Sequence, residues 1–423
     1  MPIKGKVIIV SYTFPPTPGI GGRRWVKFAK ELNKRKADLK IFSALLPRSK
    51  ESEWKKDLIG LEKQITYLDT GLVKHLANVP DTFSEKIIYK LVLFFIKIYS
   101  KGNYYDRSLF WARNVAQSVR QELILNEVDC VIATGAPFKY LYDLVHLKKE
   151  FPEVKFIADL RDPWTNTFSY GWERLSKERQ KAELRYEGFV IENYDKVITV
   201  SPGIVEILRE RYQEAKNIAL IENGYDLDDL TIDHSLKTNE NVIRLIFAGT
   251  FYPDAYAYLE LFVSGLNYYL STRPNSRIEF KVVFYGAIDI EFENYINKVD
   301  CIEHHGKVSL NQVYQKLQMA DYGLLFLSNE INYSISTKFC EYVLYNKPLI
   351  VFGSLGFTAT FVDSNELGWA ISDENSWVLL LEELELLKAK NDSKIISRDS
   401  ISHLNIESIT DRLIEEINQI KID

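Results

Sequence analysis

The sequence predicts an α/β chain built from two doubly wound, mostly parallel halves. Short apolar runs rich in Val and Ile alternate with longer stretches of helical periodicity, the pattern of parallel strands joined by crossover helices. That alternating series occurs twice, separated by the polar stretch Leu227–Asn241. A chain of 423 residues also exceeds what one hydrophobic core holds, which points to two domains.

In the first half, strands are expected at Val7–Ser11, Leu39–Ser43, Cys130–Ala133, Lys155–Asp159 and Lys196–Val200. Gly21-Gly22 follows the first strand and leads into a helix over Arg24–Arg35. The last three strands end at Thr134-Gly135-Ala136-Pro137, Arg161-Asp162-Pro163-Trp164 and Ser201-Pro202-Gly203. Ligands of open α/β sheets sit outside the carboxyl ends of such strands. Asn217–Asp226 reads as a last strand leading out of this half. In the second half, strands are expected at Ile243–Ala248, Phe280–Tyr285, Tyr322–Phe326 and Pro348–Phe352, and the tail from Asp399 to Lys421 is helical by pattern. The expected domains are therefore 1–226 and 227–398, with a terminal helix in 399–423 packing back on the first. A cleft between the halves is the default site.

Composition narrows the class. Hydrophobic content of 46% and charged content of 26% are those of a folded chain. The formal net charge of −5 argues against a nucleic-acid partner. Cys130, Cys301 and Cys340 each sit in or beside an apolar run, which reads as core thiols in a reducing compartment. The six histidines show no ligand spacing. Lys6–Ser11 is too short for a signal-peptide core, and no run approaches the roughly 20 apolar residues of a membrane span. These features lead to an expectation of a cytoplasmic protein.

The most informative segment is Ser334–Tyr342 followed by Val343–Val351. It reads as a polar loop, a helix about three turns long capped by Ser336 or Ser334, an Asn346 stop and a buried strand. A helix start carrying Thr337 and Lys338 offers amides, a favourable dipole and a cation to a diphosphate. Glu341, three residues on, shares a face with Lys338 and could accept from sugar hydroxyls. The same residues also describe an ordinary capped helix with a surface Lys–Glu pair.

Asp159-Leu160-Arg161-Asp162-Pro163-Trp164 concentrates acids, an arginine and a tryptophan at a strand end, with Pro163 stiffening the turn. It reads either as an internal Arg–Asp pair fixing the loop or as a contact to substrate. On a helical wheel, Lys86, Lys90, Lys97 and Lys101 fall within about 60° of one another, and apolar residues cover most of the remainder. That describes either a core helix with one solvated stripe or a helix lying in an anionic membrane surface.

Taken in order, these residues resemble the GT-B glycosyltransferases, and glycosyltransferase family 4 in particular. Tyr12–Pro16 with Gly21-Gly22 is similar to the family's Gly-Gly loop, and Val200–Ile204 and Glu222–Asp226 resemble its serine loop and Asn-Gly-x-Asp signature. Ala248-Gly249-Thr250, Ala320-Asp321-Tyr322 and Thr337–Tyr342 resemble its donor-binding elements. The resemblance implies two Rossmann-like domains facing a central cleft, closing around Asn223–Asp226, with the acceptor held by the first and a nucleotide-sugar donor by the second.

It further implies donor-binding roles for Gly21, Gly22, Gly249, Thr250, Thr337, Lys338 and Glu341, the last toward the ribose. His304–Val308 is similar to the loop that holds the base through backbone groups, which adds Gly306, Lys307 and Val308. Asp162 is the candidate for contacting the transferred sugar or acceptor, with Arg161 as its orienting partner; these two form the expected catalytic pair.

Two residues depart from the family pattern. Where the family often has the first glutamate of a spaced pair, this chain has Tyr333, with Glu330 out of register, and Thr250–Pro253 lacks the basic residue common after the phosphate-loop glycine. Lys338 is the expected replacement for that charge. The only Asp-x-Asp lies in the hinge at Asp226–Asp228, so neither a metal nor a cofactor is expected.

The function expected is transfer of a sugar from a nucleotide-sugar donor to a hydroxyl of a glycan acceptor. The acceptor would be a polyprenyl-linked polysaccharide precursor at the inner leaflet, reached through Lys86–Lys101, and the course retaining and metal-independent. A nucleotide-sugar epimerase and a non-catalytic nucleotide-sugar-binding scaffold are the alternatives.

Overall fold

A computed structural model of the chain describes residues 3, 5–47, 52–76, 80–165, 170–213, 215, 217–236, 240–328, 331–353, 356–390, 392, 396 and 399–422. Glu330 lies outside them. The chain divides into two compact units, Met1–Glu222 with Ile406–Asp423, and Asn223–Asn405.

Among the described residues the first unit holds seven parallel strands: β1 (Lys6–Ser11), β2 (Leu39–Leu45), β3 (Ile65–Asp69), β4 (Val128–Gly135), β5 (Lys155–Leu160), β6 (Lys196–Thr199) and β7 (Ile218–Leu220). Their spatial order is β3-β2-β1-β4-β5-β6-β7. The helices are α1 (Arg23–Lys34), α2 (Phe83–Tyr99), α3 (Trp111–Leu125), α4 (Lys139–Val145), α5 (Lys177–Asn193) and α6 (Pro202–Arg211). The central strands β1 and β4 are buried along almost their whole length, which is why they appear in the sequence as unbroken apolar runs. β3 was not expected; it is an edge strand of half-buried residues and carries no such run.

The second unit repeats the plan with six parallel strands among the described residues: β8 (Val242–Ala248), β9 (Glu279–Tyr285), β10 (Ile302–His304), β11 (Tyr322–Phe326), β12 (Leu349–Phe352) and β13 (Gly368–Ile371). Their order is β10-β9-β8-β11-β12-β13. Its helices are α7 (Tyr256–Thr272), α8 (Ile290–Ile296), α9 (Leu310–Met319), α10 (Lys338–Leu344), α11 (Phe357–Ser364) and α12 (Glu374–Ala389). One apolar cluster, centred on Phe247, Phe262, Phe284, Phe352 and Trp377, packs on one sheet face; a second, with Phe339, Tyr342 and Leu349, packs on the other. The missed strands β10 and β13 are the sheet's two edges.

The terminal helix α13 (Ile406–Gln419) belongs to the first unit and packs against α1. It is shorter than the predicted Asp399–Lys421, with a single 3-10 turn at Ser402–Leu404 before it. Cys130 and Cys340 are buried and Cys301 partly so, and the Cys340 thiol donates to Asn223 O at 3.7 Å.

Both sheets reverse winding beside their first strand, between β1 and β4 and between β8 and β11. Such a switch point opens a crevice outside the strands' carboxyl ends. Gly21-Gly22 and Gly249 each follow the strand that borders one of these points.

Candidate functional site

In the second unit, three loops meet beyond the carboxyl ends of β8, β9 and β10. The Gly249 amide donates to Tyr285 O at 2.8 Å and the Gly286 amide to Gly306 O at 2.7 Å, which ties them together. Gly249 has φ of +142°, and an added Cβ would lie 2.0 Å from Lys338 Cε. Gly286 has φ of +133°, and its Cβ would lie 1.9 Å from Gly249 O. Only residues without side chains let these loops approach so closely. Gly286 was missed in the sequence; the signal for it is a glycine directly after the β9 run.

Lys338 comes into this corner from the start of α10. Its ammonium donates to Thr250 O at 3.1 Å and sits 4.6 Å from the centre of the Phe247 ring. Withdrawal from water lowers its pKa to about 8, and the nearby Glu341 carboxylate pulls back in the opposite direction. A lysine so placed is a cation held at the mouth of a switch point.

The helix itself differs from the expectation. It is two turns long rather than three, and no side-chain cap closes it, from Ser336, Ser334 or the N-cap residue Thr337. The Ser336 amide instead donates to Thr358 Oγ1 at 3.3 Å. The Phe339 and Cys340 amides are taken by Ser336 O and Thr337 O at 3.1 Å each, in a tightened first turn. The Gly249 amide is likewise engaged. The corner's charge therefore comes from the Lys338 side chain, and Gly249 contributes space rather than a donor. Asn346 ends the helix with φ of +56°, as the sequence indicates.

Of the other predicted donor residues, Thr250 is exposed, and Glu341 sits in the first turn of α10 beside Lys338. Gly306, with φ of +62°, has open space where a Cβ would point. Lys307 is exposed, while Val308 is half-buried and packs against the second core. His304 Nε2 lies 2.9 Å from Gly286 O and 3.1 Å from Gly306 N. One nitrogen cannot donate and accept at once, so the tautomer decides which loop it holds.

In the first unit, Gly21 and Gly22 form a 3-10 turn leading into α1. Arg161 does not hydrogen-bond Asp162, although its charge acts on that carboxyl, lowering its pKa against the rise that burial causes. Its guanidinium is spread over three backbone oxygens: Gly135 O at 2.7 Å, Ala136 O at 3.1 Å and Gly21 O. It thus fastens the loops after β1, β4 and β5 together. Asp162 instead accepts from the Tyr170 hydroxyl at 3.3 Å, and burial raises its carboxyl above the usual range. Phe138 stacks on Trp164 at 5.2 Å and meets Tyr170 edge-on at 5.4 Å, so Asp162 stands beside an aromatic wall.

Sequence reasoning also missed the buried centre of this unit. Asp159 is inaccessible to water and accepts from Arg24 Nε and Nη2 at 3.2 Å each, Trp25 Nε1 at 2.6 Å and Thr134 Oγ1 at 2.9 Å. Arg24 further donates to Ile221 O and Glu222 O at 2.8 Å each. Glu183 is a second buried carboxylate, taking bonds of 2.6 Å from both Trp164 Nε1 and the Asn103 amide. Burial raises its pKa to about 7.

Residues 19–229 match the model of Glycosyltransferase Family 4. Among solved structures the chain is similar to Anabaena HepE in complex with UDP-glucose, with a TM-score of 0.63 at 12% identity over 98% of this chain and 100% of that one. It is similar also to sucrose-phosphate synthase from Thermosynechococcus elongatus, with a TM-score of 0.66 at 13% identity over 98% and 99%. A glycosyltransferase from Rickettsia africae gives a TM-score of 0.59 at 15% identity over 99% and 98%. Identities this low speak to fold. Among curated proteins none matches.

Proposed function

We propose, from the premise that this chain is a GT-B protein resembling glycosyltransferase family 4, that it moves a sugar from a nucleotide-sugar donor to a hydroxyl of a glycan acceptor. The observation that carries this reading is the Lys338 ammonium, set against Gly249 and Thr250 at the second unit's switch point. Breaking a sugar–phosphate bond leaves negative charge on a nucleoside diphosphate, and a fixed cation lowers the barrier by meeting that charge as it develops. In this reading Glu341 accepts from the ribose and the Gly306–Lys307 backbone borders the base.

Asp162 contacts the transferred sugar or the acceptor, and Arg161 is a positioning residue that fixes the loops around it. A retaining, metal-independent course fits this arrangement, with the departing phosphate taking the acceptor's proton. The acceptor we assign is lipid-linked. The exposed apolar face of α2 in the first unit supports it.

The test is a melting-temperature screen across UDP-, GDP- and ADP-sugars, followed by transfer of labelled sugar in the presence of EDTA. A rise with one nucleotide and acceptor-dependent loss of donor are expected. Tyr333, standing where the family often has a glutamate, favours one second reading, a non-catalytic nucleotide-sugar-binding scaffold. That reading predicts the melting rise with no sugar transferred or released. An epimerase would convert the donor without any acceptor.

A further inference from the structure

We infer that α2 of the first unit docks flat on an anionic lipid surface, an inference that rests on the lipid-linked acceptor proposed above. The helix has three distinct faces. Val92 and Ile96 are buried against Val73 and Leu76 of the preceding 3-10 turn, with Tyr89 and Leu93 partly buried beside them and Tyr99 stacked on Phe110. Phe83, Ile87, Leu91, Phe94, Phe95 and Ile98 point elsewhere and remain exposed, Phe83 by 80%, Ile98 by 68% and Phe94 by 59%. At 100° per residue these six span about 120° of the helix. Lys86, Lys90 and Lys97, all exposed, form a ridge about 40° wide along one border of that apolar arc. Lys101 lies beyond the helix, which ends at Tyr99.

A soluble surface rarely presents so much contiguous apolar side chain. Here it is held rigidly. Thr82 and Glu85 form a capping box at the start, and Arg179 donates to Lys97 O and Ser100 O at 2.6 Å each at the end. The single acid of the helix, Glu85, is engaged by the Asp81 and Thr82 amides at 3.0 Å each. The face is therefore cationic and apolar, within a chain of net charge −5. A second copy of the chain would bring the same lysines, with Glu85, already held by its two amides, as the one carboxylate of this helix to meet them. Anionic headgroups with acyl chains beneath match both properties at once. Among the described residues no helix is long and apolar enough to cross a membrane, so α2 lies on the surface.

The test is co-sedimentation of the full chain with phosphatidylcholine vesicles, with and without phosphatidylglycerol. The wild type is expected to pellet with the anionic vesicles. Replacing Lys86, Lys90 and Lys97 together by Gln should weaken that binding roughly a hundredfold, at about a tenfold or less per lysine. Phe94→Ser, Phe95→Ser and Ile98→Ser together should abolish it while leaving the circular dichroism and the nucleotide-dependent melting rise unchanged. A wild type that stays in the supernatant overturns the inference. So does a wild-type dimer, seen by sedimentation velocity, that the serine variant converts to monomer. The melting rise, read on the same samples, reports separately on the donor site.

Discussion

Lys338 is the residue on which the donor reading turns, and its titration makes that reading testable. Its ammonium has a pKa near 8 in the folded chain against 10.5 for an ordinary lysine. Between those values the unfolded chain holds a proton that the folded chain lacks, so this residue's contribution to stability without ligand increases with pH across that window. Diphosphate binding should run the other way. It needs the cation, so the melting rise given by whichever nucleotide the screen identifies should shrink above about pH 8, approaching tenfold weaker binding per unit. An equal rise at pH 7 and pH 9.5 would remove Lys338 from the site. Lys338→Ala should abolish the rise at every pH.

Gly249→Ala tests the same corner through space rather than charge. The new methyl group would displace Lys338 in a backbone region strained for any other residue, so a loss of about 1–3 kcal/mol in urea unfolding is expected, together with the nucleotide response. Asp162→Asn should behave differently, leaving the melting rise intact while transfer stops.

Gly249 and Lys338 were each legible in the sequence, the one after an apolar run and the other before a helix. Their contact was not, because 88 residues separate Lys338 from its Thr250 partner. Arg161 shows the opposite failure. Its neighbour Asp162 suggested a local pair, but the guanidinium is used on carbonyls brought in by two other strands, β1 and β4.

Among the elements, the first sheet depends on the Asp159–Arg24 pair, which joins β5 to α1 and to the backbone at 221–222. Both side chains are almost wholly buried. Asp159→Ala would strand the guanidinium without its counter-charge, at a cost of about 3–5 kcal/mol. Urea unfolding followed by tryptophan fluorescence measures it, and a loss below about 1 kcal/mol would mean that the carbonyls alone satisfy Arg24.

Sequence periodicity located the central strands and missed β3, β10 and β13 for one reason: each lies at a sheet edge, where partial exposure breaks up the apolar run. For α2 the periodicity was visible but ambiguous, since a sequence does not state which apolar face has a partner. The structure distinguishes them: Val92 and Ile96 are packed, while Phe94 and Ile98 are not.

At the scale of the whole molecule, the second unit starts and finishes at adjoining backbone. The Tyr225 amide donates to Leu404 O at 3.1 Å, and Tyr225 bridges Asn405 in parallel. A fragment of residues 223–405 should therefore unfold cooperatively by itself and keep the nucleotide-dependent melting rise, because Gly249, Gly306 and Lys338 all lie within it. A hundredfold excess of nucleotide over its dissociation constant should stabilise it by about 2.7 kcal/mol. A fragment that melts without cooperativity would show that this unit relies on the rest of the chain.

The first unit is assembled from both ends of the sequence. Its α13 is fastened by Arg35 to Asp411 at 2.9 Å, by Lys196 to Glu416 at 2.7 Å and by Arg412 to Glu222 at 2.6 Å. On the ribosome this reverses the usual order of maturation. The nascent first sheet must wait, with the α1 surface uncovered, while all of the intervening unit is synthesised. Of the two units, the one whose synthesis starts earlier is the last to be sealed.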